Sequence, residues 1–345
     1  MKTRVAPHIR IVVEQGDALA IEADVLALKY ANALYGVDGA VVQALRAVVS
    51  DIEGRLPKPS GFYITPARGA VAASYVLFVG VGSLRYFGYR EIRAFGRKAL
   101  EALAGETPQA THVALTIHGP GYGLDETEAF ESELAGLLDA INGGDFPAAL
   151  KRVTIVEANA GRAGRLAAQL DKLLPREPDD SPGRAARPLT EVPDRLRSVG
   201  YDSRSKSHVF VAMPFAEEMD DVFHYGIQGA ANAAGFLCER ADLSSFTGDV
   251  IQWVKTRIAS ASLVVADLSE ANPNVYLEVG YAWGCSRPTV LLVKDTAQLK
   301  FDVRGQRCLV YKKIKDLEAL LRTELEKLKE SLPVQAPRLG NGEDG

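Results

Sequence analysis

Cysteine is nearly absent from this chain. Cys238, Cys285 and Cys308 are the only three, too far apart for a disulfide framework or a zinc knuckle, and a reducing, cytoplasmic setting is the expectation. Histidine is also scarce. The five, His8, His112, His118, His208 and His224, share no ligand spacing, so neither a metal site nor a resident cofactor is expected. No apolar run approaches the roughly 20 residues that cross a bilayer, and the opening MKTRVAPHIR lacks the apolar core of a signal peptide, so a soluble chain with no membrane partner is expected. An excess of one charge is missing too. With 40 Lys and Arg against 44 Asp and Glu, the formal charge is −4 and no dense basic cluster stands out, which makes nucleic acid a poor partner. What remains is ordinary globular composition, 47% hydrophobic and 24% charged, in 345 residues, enough for two cores.

One stretch is short of large apolar side chains. Residues 175–206 carry Pro175, Pro178, Pro182, Pro188 and Pro193 among many charges, which prevents a continuous helix and favours extended segments. Leu189, Val192 and Leu196 are exceptions suited to docking on a domain surface. The expected organisation is therefore a first domain over 1–175, a linker over 176–206, a second domain over 207–332 and a flexible tail over 333–345.

In the first part, apolar periodicity predicts strands near 9–14, 25–28, 63–67, 71–73, 75–82, 113–117 and 153–157. It predicts helices near 40–49, 89–104, 126–141 and 165–174, the third amphipathic through Phe130, Leu134 and Leu137. Strands alternating with helices argue for a three-layer α/β domain. In the second part, strands near 207–213, 236–239, 263–266, 289–293 and 308–311 alternate with helices near 219–234, 251–259, 276–284 and 317–332. That pattern reads as a compact, flavodoxin-like parallel sheet.

Residues 263–284, LVVADLSEANPNVYLEVGYAWG, concentrate the candidate chemistry. An apolar strand ends at Asp267, a turn-rich loop runs from Ser269 to Asn274, and Glu278 follows on a helix beside the small residues Gly280 and Ala282. Ligands of open α/β sheets bind at that edge. A partly desolvated helical carboxylate there suits a nucleophile or general base; the same pattern also fits a solvated helix glutamate. Tyr276, Tyr281 and Trp283 are either core or a base-shielding group. In the first part, His118 to Gly123 reads either as a glycine loop approached by a phosphate or as a tight strand-to-helix turn.

The opening IVVEQGDALAIEADVLALKYANALYGVDGAVVQAL resembles a macro domain, and also the macro-like amino-terminal domain of leucine aminopeptidases, over roughly residues 9–174. That resemblance implies a pocket for ADP-ribose or related nucleotides. It places Asp17 against adenine, Asn32 near the distal ribose, Gly36 to Gly39 in a first phosphate loop, and Gly119, Gly121 and Gly123 in a second. Val37 and Asp38 interrupt the usual glycine run, and a carboxylate at Asp38 is expected to repel a diphosphate.

Residues 207–312 resemble nucleoside 2-deoxyribosyltransferases and the related nucleotide N-glycosidases, a group close to bacterial TIR-like domains. VFVAMPF, ADLS and YLEVGYAWG carry the likeness. It implies a nucleophilic Glu278, a ribose-contacting Asp267, and Met213, Pro214 and Phe215 beneath the base, with Asp242, Ser269 and Asn274 as further contacts. Asn272-Pro273-Asn274 stands where the family has Gly-Thr. Together the resemblances imply a nucleotide sensor joined to an N-glycosidase acting on NAD or a nucleotide, assembled as a homo-oligomer and answering to an ADP-ribose derivative or a cyclic nucleotide, as in bacterial antiphage defence. The alternative is a non-catalytic nucleotide-binding sensor or scaffold.

Overall fold

The computed structural model describes residues 9–31, 34, 36–82, 87–120, 123–174, 192–241 and 250–332. They fall into two α/β units. The first draws on Met1–Pro120 and Glu126–Tyr201, the second on Gly121–Asp125 and Asp202–Gly345. Asn32, Gly121 and Asp242 lie outside the described residues.

In the first unit, β1 (Arg10–Gln15), β2 (Val25–Tyr30), β3 (Phe62–Pro66), β4 (Tyr75–Gly80), β5 (His112–Thr116) and β6 (Arg152–Glu157) form one sheet in the order β1-β6-β5-β2-β4-β3. Only the β3–β4 pairing is antiparallel. On one face, Leu26, Leu28, Val76 and Phe78 pack against Val41, Val42 and Leu45 of α1 (Gly36–Leu45) and Ile52 of α2 (Ile52–Arg55). The other helices are α3 (Tyr89–Glu106), α4 (Glu126–Gly143), α5 (Ala160–Leu173) and the short α6 (Asp194–Ser198). Local chemistry starts two of them: the Glu91 carboxylate accepts the Gly88 amide ahead of α3, and the Asn159 side chain accepts the Arg162 amide at α5.

Two expectations change here, and one, the docking of Leu196, is met. Residues 71–73 are not a strand. Arg68 and Gly69 take positive φ, and the amides of Ala72 and Ser74 go to Leu19 and Ala23 carbonyls instead of a ladder. Helix α4 is not amphipathic, because it is buried nearly all round. Its acidic residues are matched from neighbouring helices, Glu126 by Arg162 and Arg165 of α5 and Glu131 by Arg195 of α6. The end of the proline-rich stretch is structured. Leu196 is buried, and Arg93 of α3 donates to the carbonyls of Leu196, Arg197 and Val199 while pairing with Asp139.

Helices α3 and α4 approach until backbone meets backbone. A Cβ on Gly96 would lie 2.5 Å from the Glu133 carbonyl oxygen, and one on Gly136 would lie 2.0 Å from that of Arg93.

The second unit is an all-parallel sheet in the order β11-β10-β9-β7-β8, from β7 (His208–Ala212), β8 (Leu237–Arg240), β9 (Leu263–Asp267), β10 (Thr289–Val293) and β11 (Cys308–Val310). Helices α8 (Val250–Ser260) and α9 (Pro273–Gly284) cover one face through Ile258, Val275, Val279 and Ala282. The other face packs on α7 (Gly229–Ala233) and α10 (Ile314–Ser331) through Ile227, Ala230, Leu317 and Leu321. The helix expected over 219–234 is not regular. It is a 3-10 turn, a π-helix over Val222–Gln228, and then α7. A Cβ on Gly226 would meet Leu317 at 2.7 Å, so the wide turn presses directly on α10.

The glycine contact between α3 and α4 has a direct test. Gly136→Ala should destabilise the first unit by about 3 kcal/mol, the upper end of overpacking effects, since the obstacle is backbone rather than a movable side chain. Urea unfolding followed by circular dichroism reads it.

Candidate functional site

In the second unit the strand order reverses between β7 and β9, and the loops after these strands leave to opposite faces, which opens a crevice at the carboxyl edge. Register aligns that edge: Val211 lies opposite both Arg240 and Val265, and Asp267 lies opposite Leu292.

Helix α9 begins at this edge because Asn272 accepts the Asn274 amide at 2.9 Å and Pro273 occupies the first turn. Val275, Val279 and Ala282 face the sheet. Tyr281 is on the flank toward α8, where Lys255 sits over its ring. Glu278, three residues earlier, shares that flank, as does Asn274 one turn before it. Glu278 is thus on the α8-facing side of α9. It is partly buried, and no hydrogen bond or ion pair reaches its carboxylate from the described residues. Burial alone pushes its pKa up to about 7.

Asp267 behaves differently. It is 1% exposed, with Oδ1 accepting the Ser269 amide at 2.9 Å and Oδ2 accepting the Tyr311 hydroxyl at 2.7 Å. Ser269 Oγ accepts the Lys294 amide at 3.0 Å. Both oxygens of Asp267 and the hydroxyl of Ser269 are engaged within the protein. Burial and the adjacent Asp267 carboxylate push the Tyr311 hydroxyl far up, so it stays protonated and donates.

Met213 and Pro214 are buried behind the edge, whereas Phe215 is 40% exposed. The Arg240 guanidinium lies 4.3 Å from the Phe223 ring centroid and 5.6 Å from that of Phe215, and pairs with Asp220 at 3.1 Å. Sequence reasoning passed over Arg240 and Tyr311 as site residues. The available signal was a polar group at the carboxyl end of a strand, which both positions carry.

The first unit places its candidates less uniformly. The Asp17 side chain is exposed and accepts the Leu19 amide at 2.9 Å. Gly36 and Gly39 are not loop residues, because they form the first turn of α1, with Gly36 at φ +52°. The amides of that turn have no partner within the helix itself. Asp38 does not face outward to repel an anion. It is buried and paired with Lys29 of β2, Nζ to Oδ2 2.5 Å. Burial still raises the Asp38 pKa, with Lys29 opposing the rise. Gly119 takes φ +115° after β5, as a glycine turn requires. Gly123 belongs to the second unit, where a Cβ would lie 2.5 Å from Trp253, so its missing side chain serves packing.

Beside Gly119, His118 meets the Phe95 ring edge-on and is buried, which holds its pKa well below the usual imidazole value, with Lys29 adding to the effect. Its amide donates to the Glu133 carboxyl at 3.3 Å. Glu133 is fully buried, and burial raises its pKa well above the carboxylate range. Both shifts favour the uncharged form of the side chain. Among the described residues, no group of three or more His, Cys, Asp or Glu is placed to hold a metal ion. No described helix is long and apolar enough to cross a membrane.

No protein-family model matches this chain, and no curated protein matches it. Solved structures do. An Oceanobacillus iheyensis macrodomain with ADP is 17% identical over 49% of this chain and 94% of its own, with a TM-score of 0.39. The same macrodomain with MES bound gives 19%, 47% and 90%, with a TM-score of 0.37. The CMP N-glycosidase of Clostridium botulinum is 18% identical over 36% of this chain and 100% of its own, with a TM-score of 0.28. At these scores the likenesses carry no argument about sites, which rest on the geometry alone.

The raised pKa of Glu278 fixes the sign of a stability effect. Folding favours its protonated form, so the native state carries no penalty below the unfolded value of about 4.5 and an increasing one as pH rises toward 7. Glu278→Gln should therefore stabilise the protein at pH 8 by up to about 3 kcal/mol and change little at pH 4, read by denaturant unfolding at both pH values.

Proposed function

We propose that the second unit is an N-glycosidase that releases the base from NAD or a (deoxy)nucleotide, with Glu278 as its nucleophile. The observation that carries this reading is the half-buried Glu278 carboxyl, without a partner among the described residues, on the helix that follows the strand-order crevice, with its pKa near 7. In the proposed reaction the C1′–N bond breaks and its electron pair leaves with the base; a nucleobase then takes a proton from solvent, whereas the nicotinamide of NAD, cationic while bound, leaves neutral without one. The Glu278 carboxylate captures C1′ as an ester. Water then attacks C1′, the ester bond breaks, and Glu278 is regenerated while the water's second proton passes to solvent. The Phe215 ring and the nearby Arg240 suit a base and an anionic group at the crevice mouth. Asp267 is assigned as a positioning residue that holds Tyr311 and the Ser269 turn, in place of a ribose contact.

Incubating a mixture of NAD and nucleotides with the protein and measuring free bases by mass spectrometry tests the reading. Wild type should release base, and Glu278→Gln should lose at least about a thousandfold in turnover, as removal of a covalent catalyst does. Because the ionised carboxylate is the reactive form, kcat/KM should rise with pH through about 7 and level off above it. Turnover by Glu278→Gln at the wild-type rate overturns the mechanism.

For the first unit we propose a nucleotide-binding role that regulates the second. The open first turn of α1 and the exposed Asp17 support it, with an ADP-ribose derivative or a cyclic nucleotide as the ligand class. Such a pair suits a conditional nucleotide-consuming effector, the kind of activity used in bacterial antiphage defence, working as a homo-oligomer. Asp17→Ala should abolish nucleotide-induced thermal stabilisation without lowering the melting temperature of the free protein, checked by scanning calorimetry with ADP-ribose and cyclic nucleotides.

A further inference from the structure

Helix α9 has a second flank. Tyr276 lies about 200° around the helix from Glu278, and its hydroxyl accepts the Lys300 amide at 3.2 Å. A groove of about 470 Å³ opens on this side. It is lined by Glu270 and Ala271 before the helix and by Leu299, Lys300, Phe301 and Arg304 after β10.

Two features of this groove have no evident packing role. The Phe301 side chain is 88% exposed, while the next apolar residues of its own loop, Leu299 and Val303, are buried. The loop thus anchors itself in the core and leaves an aromatic face standing in solvent. Ala271, on the facing wall, holds φ +50°, a left-handed conformation that a residue with a Cβ adopts at a cost.

Charge narrows the occupant. Lys300 and Arg304 line the groove together with Phe301 and one carboxylate, Glu270, so its lining carries a positive excess on a chain whose net charge is −4; Arg304 also donates to the Leu299 carbonyl at 3.2 Å. An exposed aromatic sharing a groove with two cations and one acceptor matches a planar ring bearing an anionic group and sugar hydroxyls. The volume falls within the range of pockets for small organic ligands and suits one mononucleotide. The overall negative charge argues against a long polyanion.

We propose that this groove is a second nucleotide site, distinct from the Glu278 crevice, which takes a free purine mononucleotide with its base on Phe301 and its phosphate between Lys300 and Arg304. The inference does not rest on the glycosidase reading, because it requires no turnover. One helix separates the two sites, so occupancy of the groove has a direct mechanical route to the element that carries Glu278.

Photolabelling of the full chain with 8-azido-AMP tests the proposal. The label, mapped by mass spectrometry, should fall on residues 294–304 and be displaced by AMP. Phe301→Ala and Lys300→Gln should each weaken the AMP competition for that label about tenfold or more, with unchanged melting temperature. Phe301 is solvent-exposed and the Lys300 side chain serves no described core contact, so neither variant compromises folding. Glu278→Gln should leave this label intact, which separates failure of the groove from failure of the catalytic reading. Labelling confined to other segments, labelling here that Phe301→Ala leaves unchanged, or a Phe301→Ala effect on sedimentation mass alone would each overturn it.

Discussion

The carboxyl edge of the second sheet depends on one buried carboxylate. Asp267 receives the Ser269 amide on one oxygen and the Tyr311 hydroxyl on the other, and Ser269 in turn receives the Lys294 amide. The ends of β9 and β11 are thereby tied to one side chain, and that of β10 to the serine it holds. In a buried site each of these bonds is costly to leave unmade, so the arrangement is close to all-or-none. The turn it fixes decides where Asn272 caps α9 and hence which flank of the helix Glu278 occupies. A buried aspartate thus helps set the position of a glutamate eleven residues further on.

Contrast between these two acids carries the functional argument. Asp267 is satisfied from two sides, while Glu278 receives no donor from the described residues. Burial pushes the Glu278 pKa up to about 7, and a half-buried carboxylate favours any positive charge brought close. A sugar that develops cationic character as its base departs is such a charge. The first unit uses buried acids in another way: Asp38 is matched by Lys29, Glu126 and Glu131 by arginines of neighbouring helices, and Glu133 takes a backbone amide. Those groups build the interior.

Hydrophobic periodicity was enough to place most strands and helices, because alternation of period two or 3.6 is a local property. Two kinds of feature were beyond it. Tyr311 and Asp267 are 44 positions apart, and no window of sequence shows that a strand-end tyrosine and a strand-end aspartate share a bond. Helix α4 read as amphipathic since its glutamates look like a solvent face, yet arginines from α5 and α6 cover them. Residues 71–73 have a strand's composition, but the turn at Arg68 and Gly69 spends their amides elsewhere. The π-helix was equally hidden, since its residues keep helical apolar spacing while Gly226 settles against Leu317.

The backbone contact at Gly96 and Gly136 bears on how this protein can diverge. Every nonsynonymous single-base change in a glycine codon that still encodes an amino acid brings in a side chain, so no neighbouring genotype at either position preserves the spacing between α3 and α4. Drift elsewhere on those helices can proceed in small steps. At these two positions it cannot, and any lineage that changed one would need a compensating displacement of a whole helix. Because α3 also holds the carbonyls of Leu196, Arg197 and Val199 through Arg93, such a displacement would propagate into the segment that leaves the first unit. The two glycines therefore act as fixed points in sequence space around which the rest of the first unit is free to vary.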